Sequence, residues 1–194
     1  MKFFLSTVTV LILFISGISA QEESFVPKKT IISFVPQYLI IDGIRIDVER
    51  QIKGKHYLQV CPQLYLNKEP KYYANYEKMI GGGLFIYHKY FPNENRLKNG
   101  IYMAYGLTYN YFQFDVLDDN DEITMLKVNK VGADLVVGYQ YLLNNVISFD
   151  FYTGIGNRNS IFEGTRTDIL YDATFGYGYT GNLFLFGFRI GFLF

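Results

Sequence analysis

The chain has 194 residues with 18 basic and 18 acidic side chains, most simply one domain, and its balanced charge excludes bulk attraction to nucleic acid or to an acidic surface. Aromatics make up 19%, all Tyr or Phe and no Trp, and 18 Gly accompany them, a composition that favours strands and close packing over helices. Cys61 is alone, which excludes an intramolecular disulfide, and it lies too far along the chain to carry a lipid at a processed amino terminus. It reads as a small, half-buried strand residue.

The amino terminus reads as an export signal. Lys2 supplies the basic start, Val8 to Ile15 an apolar run, and Ser16-Gly17-Ile18-Ser19-Ala20 the small residues suited to cleavage before Gln21. The run is short for a membrane-spanning helix of about 20 residues. Residues 1–20 are therefore expected to be a signal peptide and residues 21–194 a single barrel domain. Removing the signal leaves 17 basic against 18 acidic residues, still close to neutral.

A polar lead-in over residues 21–29 precedes a first strand predicted from Thr30 to Ile41, in spite of Pro36, because Asp42-Gly43 follows as a hairpin turn signal. Next, Ile44, Ile46 and Val48 alternate with Arg45, Asp47 and Glu49, and Lys53-Gly54-Lys55 turns the chain. A third run sets Leu58, Val60, Pro62 and Leu64 against Gln59, Cys61, Gln63 and Tyr65. After a polar and aromatic stretch, a fourth runs from Ile80 to Tyr90, opening on Gly81-Gly82-Gly83, with parity that is ambiguous. The fifth sets Ile101, Met103, Tyr105, Leu107, Tyr109 and Tyr111 against Tyr102, Ala104, Gly106, Thr108 and Asn110. An acidic stretch, Asp115 to Glu122, leads to the sixth, where Val131, Ala133, Leu135, Val137, Tyr139 and Tyr141 oppose Gly132, Asp134, Val136, Gly138 and Gln140. Asn144-Asn145 makes a turn, and the seventh sets Ile147, Phe149, Phe151 and Ile155 against Ser148, Asp150, Tyr152, Gly154 and Gly156. A long segment from Asn157 to about Gly178 precedes the terminal strand. There Phe184, Phe186, Phe188, Ile190, Phe192 and Phe194 share one parity, while Gly187, Arg189 and Gly191 share the other.

The pattern predicts about eight antiparallel strands in a meander, joined by short turns at one end and longer loops at the other, as in barrels whose ends face different compartments. Alternation alone does not separate a lipid-facing barrel from a soluble one. The interior of an eight-stranded barrel has little more room than its own side chains need, so it cannot hold the majority face of bulky Phe, Ile, Leu, Met and Tyr. That face is expected outward, towards lipid, with Tyr109, Tyr111, Tyr139 and Tyr141 as interface anchors. The inward set, Arg45, Asp47, Glu49, Gln59, Gln63, Asp134, Gln140, Asp150 and Arg189, carries both signs, and buried charges require partners. A paired network that plugs the lumen is the expectation. The fold class is thus an all-β, antiparallel, up-and-down eight-stranded transmembrane β-barrel.

The signal segment, the alternating strands and the Phe184-to-Phe194 alternation ending on Phe resemble the small eight-stranded outer-membrane β-barrel proteins of Gram-negative bacteria, the group of the OmpA transmembrane domain and OmpX. The resemblance covers essentially the whole mature chain. It implies an outer-membrane location, contact with outer-membrane lipid, and a terminal strand (Phe184, Phe186, Phe188, Ile190, Phe192, Phe194) that acts as the signal read by the barrel assembly machinery. The sequence departs from the pattern in lacking Trp for aromatic girdles and in carrying Pro36 and Pro62 within predicted strands, and no cell-wall tether of the OmpA type is implied.

Catalysis needs a nucleophile and a base within reach of each other. The two histidines, His56 and His88, fall on different strands, and His88-Lys89-Tyr90 lacks the Ser that a lipid A deacylase of this barrel type places two residues from its His. Asp118-Asp119-Asn120-Asp121-Glu122 lacks the glycine and spacing of an EF-hand and reads as a solvated loop tip. Tyr72, Tyr73 and Tyr76 with Lys68, Lys71 and Lys78 read as rim anchoring, with lipopolysaccharide contact as the sharper alternative. Gly81-Gly82-Gly83 is a strand bend and not a phosphate loop, since no Lys-Ser/Thr follows. The expected function is a non-enzymatic, monomeric outer-membrane barrel acting through its loops, with no cofactor, metal or nucleic-acid partner. A small-solute channel or carrier and a secreted soluble barrel for a hydrophobic ligand are the alternatives.

Overall fold

The period-two alternation closes on itself: eight antiparallel strands pair in chain order, and the first pairs with the last. The computed structural model describes residues 30–67, 76–92, 99–117, 123–163 and 178–194. The strands are β1 (Thr30–Phe34), β2 (Gly43–Lys53), β3 (His56–Asn67), β4 (Tyr76–Tyr90), β5 (Gly100–Leu117), β6 (Ile123–Leu143), β7 (Ile147–Glu163) and β8 (Gly181–Leu193). The predicted export signal, the lead-in, the acidic run from Asp118 to Glu122, and Lys68, Lys71, Tyr72 and Tyr73 lie outside the described residues.

The majority face points outward. Phe184 and Phe186 are 86% and 81% exposed, and Ile101, Met103, Leu107, Leu135, Val137, Phe151 and Ile155 are exposed with them. No helix among the described residues is long and apolar enough to cross a membrane, which leaves open any crossing made by strands. Along β7 and β8 the apolar exterior gives way to Asn157 and Asn182 at the end opposite the short turns, and their side chains hydrogen-bond across the ladder at 2.9 Å.

Inside, the bore is narrow enough that several large inward rings lie over an inward glycine of the next strand. Tyr87 covers Gly106, Tyr102 covers Gly138, Tyr152 covers Gly187 and Phe112 covers Gly81, each where a Cβ would collide with the ring. Small residues opposite large ones are what close packing in a confined cross-section requires. At the loop end the interior is apolar, with Tyr65, Met79, Phe112, Phe114, Leu126 and Val128 clustered together. At the turn end Ile31, Leu142 and Leu193 form a smaller cluster. The charged residues lie between these two apolar layers.

The turns match their sequence signals. Asn144 and Asn145 both have positive φ, 51° and 54°, as a type I′ hairpin turn requires, and Val146 N–H donates to Leu143 O at 3.0 Å. Four strands run further than the sequence suggests: β4 from Tyr76, β5 to Leu117, β6 from Ile123 and β7 to Glu163, so the predicted seventh loop begins later than Asn157.

The predicted first strand is corrected. It ends at Phe34, and Pro36 opens a 3-10 helix, Pro36–Ile41, where its fixed φ and missing N–H cost nothing. Pro62 stays within β3. The β2–β3 ladder is broken between Arg45↔Gln63 and Val48↔Val60, next to the proline that has no N–H to donate.

The early end of β1 leaves a seam. Ile31 to Phe34 pair with Leu193 to Ile190, and beyond Phe34 the rest of β8 has no strand on that side among the described residues. Losing one strand opens two inter-strand spacings, roughly 10 Å, about the width of a helix with its side chains. The 3-10 helix packs there against β2 and β8. Gln37 continues the ladder: its Nε2 donates to Phe188 O and its Oε1 accepts from Phe188 N–H, both at 2.9 Å. Replacing this amide should leave two backbone groups unpaired. Gln37→Leu is expected to lower stability by about 1–3 kcal/mol in urea titrations followed by far-ultraviolet circular dichroism. An unchanged midpoint would mean that Phe188 is satisfied without it.

Candidate functional site

Odd-numbered residues of β2 and β3 face inward, which brings Arg45, Asp47 and Glu49 beside Gln59 and Gln63. Even-numbered residues of β6 and β7 do the same for Asp134, Gln140 and Asp150, and β8 contributes Arg189 opposite Asp150. All nine residues read from the sequence as inward lie inside, none more than 4% exposed.

Seven of them join one network. Arg45 grips Asp47 with two parallel bonds, Nε to Oδ1 at 2.6 Å and Nη2 to Oδ2 at 3.0 Å. Gln59 Nε2 donates to Asp47 Oδ2 at 2.9 Å, and Arg189 Nε lies 2.8 Å from the same oxygen. Arg189 Nη1 donates to Asp150 Oδ2 at 2.8 Å, and so bridges two carboxylates across the bore. The remaining members, Glu49 and Gln140, are tied in by a residue that the sequence reading did not place. Lys89, fully buried, donates to Glu49 Oε2 at 2.8 Å, Gln140 Oε1 at 2.5 Å and Asp150 Oδ2 at 2.9 Å, using all three of its protons. Its ammonium also sits 3.7 Å from the centre of the Tyr102 ring, and Tyr102 OH donates to Asp150 Oδ1 at 2.6 Å.

Two predicted members fall outside this network. Asp134 is held by Arg158, through Nη1 at 2.5 Å and Nη2 at 3.1 Å, and accepts from Tyr87 OH at 2.6 Å. Gln63 donates to Asn110. Sequence reasoning missed Lys89 because both parities of the fourth run carry aromatics. Arg158 was missed because it was assigned to a loop. Once Tyr87 is placed inside, Phe85 and Lys89 follow from period two, so the signal was present but weak.

The arrangement sets its charges against one another. Four cations, Arg45, Lys89, Arg158 and Arg189, meet four carboxylates, Asp47, Glu49, Asp134 and Asp150, and Lys130 lies buried near the loop-end cluster. Bidentate and charge-assisted bonds of this kind are the strong ones, and in a low dielectric they reinforce one another. Cys61 is fully buried. Both histidines are on the outer wall, not beside the network: His56 is exposed and His88 half-buried. Among the described residues no group of three or more His, Cys, Asp or Glu side chains is placed to hold a metal.

The six residues read as an assembly signal, Phe184, Phe186, Phe188, Ile190, Phe192 and Phe194, all point outward and are exposed. Leu183, Leu185 and Gly187, on the opposite parity of β8, are only half-buried, where the seam leaves that edge without a strand.

Fold and site together define a class: a closed, up-and-down, eight-stranded antiparallel β-barrel of the transmembrane type, apolar outside and charged within. No family model matches the sequence, and no curated protein matches it. Among solved structures the chain is similar to Acinetobacter baumannii CarO, at 12% identity and a TM-score of 0.45 over 89% of this chain and 100% of that one.

Removing one partner of a buried ion pair strands the others. Arg189→Leu should leave Asp47 and Asp150 short of a cation and lower stability by on the order of 3 kcal/mol or more. Tyr102→Phe, which removes one hydroxyl, should cost about 1–2 kcal/mol. Equal effects of the two substitutions on urea unfolding would contradict the bridging role of Arg189.

Proposed function

We propose that this chain is an integral outer-membrane β-barrel, exported by a cleaved signal peptide, whose lumen is plugged and which acts without catalysis through its surface loops in surface interaction or envelope integrity. The observation that carries this reading is the pairing of an apolar exterior with an interior in which buried cations and carboxylates meet as ion pairs. The exterior calls for hydrocarbon as its neighbour, and the interior offers no continuous row of unengaged charges to conduct a solute. The short turns would face the periplasm and the longer connections the outside. Lipid is the partner in the membrane, and the barrel assembly machinery is the partner during biogenesis, reading the terminal aromatic strand. The working form is a monomer.

Cell fractionation tests the location. The protein should be recovered with outer membranes and show heat-modifiable gel mobility, whereas recovery in the soluble periplasm would sink the proposal. Planar bilayers test the plug: no large, stable open current is expected, and such a current would favour a small-solute channel. Deleting Phe194 should lower the amount inserted in the outer membrane. Normal levels of the truncated chain would remove the assembly role from β8.

A further inference from the structure

On the outer wall near the short turns, two imidazoles from neighbouring strands meet. His56 opens β3 and pairs with Tyr90, while His88 of β4 pairs with Leu58, so the histidines are diagonal neighbours on one face. Their rings are 5.1 Å apart and inclined by 26°, with Tyr90 against His56 and Tyr105 against His88. His56 Nδ1 lies 3.0 Å from His88 Nε2.

We propose that His56 and His88 form a two-imidazole clip for a late first-row divalent cation, Cu²⁺ or Ni²⁺, with water completing the coordination. Three observations carry it. Metal–imidazole bonds are about 2.1 Å long, so two ligands in adjacent corners of a square-planar or octahedral site stand about 3.0 Å apart. The two nitrogens have that separation before any ion arrives. The nitrogens are also the right ones. His88 Nδ1 is shielded from solvent and has no hydrogen-bond partner, so His88 can coordinate only through Nε2, the atom that faces His56. His56 is exposed directly after the Lys53-Gly54-Lys55 turn, at the rim of the wall, which leaves its Nε2 open and gives an ion a path in from the turn end. Finally, one histidine alone is a weak ligand, and these two are joined by strand pairing and not by sequence, being 32 positions apart. The clip therefore exists only in the folded barrel. Binding puts the cation in place of the proton between the rings; carried by His56 Nδ1 in the free pair, that proton moves through solvent to His56 Nε2, so both ligands stay neutral imidazoles. A bound ion would staple β3 to β4 at the turn end, close to the register shift between Gln51 and Lys53 in the adjoining ladder.

The test uses the full mature chain refolded in detergent, titrated with CuCl₂ or NiCl₂ by calorimetry, together with His56→Asn, His88→Asn and the double variant. One ion per chain is expected, with a two-nitrogen pattern in the Cu²⁺ electron paramagnetic resonance spectrum and a rise in the urea midpoint on adding metal. Each single variant should bind at least tenfold more weakly and lose the rise. Should the double variant bind as tightly as the parent, or either single variant keep full affinity, the clip is wrong and the pair is a hydrogen bond at the barrel surface. Metal-free unfolding midpoints of the four proteins show whether every one is folded, so a loss of binding cannot be confused with a loss of fold. The outcome does not depend on where the barrel resides in the cell.

Discussion

The structure depends on Asp150. Its carboxylate receives Lys89 and Arg189 on one oxygen and Tyr102 on the other, and through those three donors it connects β4, β5, β7 and β8 across the bore. A buried carboxylate is costly unless several donors surround it, and an eight-stranded barrel leaves no room for water to do that work. The residues opposite must therefore be cationic or hydroxyl-bearing and long enough to reach the middle. Arg189 and Lys89 meet that requirement from opposite sides, and each then recruits a second carboxylate, Asp47 and Glu49. What looks like a collection of ion pairs is one consequence of a narrow cross-section.

The same narrowness explains the rest of the interior. Rings that cannot project to the axis lie flat against the neighbouring strand, and that strand carries glycine where the ring lands, as at Tyr102 over Gly138. Glycines in strand interiors are ordinarily unfavourable, and here the overlying ring supplies the packing that the missing side chain does not. The apolar clusters at the two ends then hold the polar belt away from solvent, which keeps its electrostatics strong.

Much of this architecture was legible in the sequence. The alternation of β2, β3, β5, β6, β7 and β8 located the wall and most of the inward charges, because a strand with one apolar face leaves no freedom of register. β4 was harder to read. Leu84, Ile86, His88 and Tyr90 on one parity and Phe85, Tyr87 and Lys89 on the other are both predominantly apolar, so Lys89, which joins the network, was not placed. The first strand failed for another reason. Apolar residues continue through Leu39, Ile40 and Ile41, and pattern alone could not show that Pro36 starts a helix whose apolar side chains face outward as a strand's would. The apolar interior near the loops was foreshadowed by Phe112 and Phe114, which share the parity of Ala104 and Thr108, but an extrapolation from the polar middle of β5 hides it.

The brevity of β1 has a mechanical side. Around the turns β1 is paired on both sides and the wall has eight strands; past Phe34 the described residues supply seven, and the eighth place is taken by a short helix and the amide of Gln37. A cylinder built this way is not equally stiff along its length. Hoop strength, which comes from an unbroken ring of hydrogen bonds, belongs to the turn end, while the loop end is a sheet fastened by one side chain. If the barrel is forced open, by heat or by pulling on its loops, the tear begins between Gln37 and Phe188 and runs down the β8 edge.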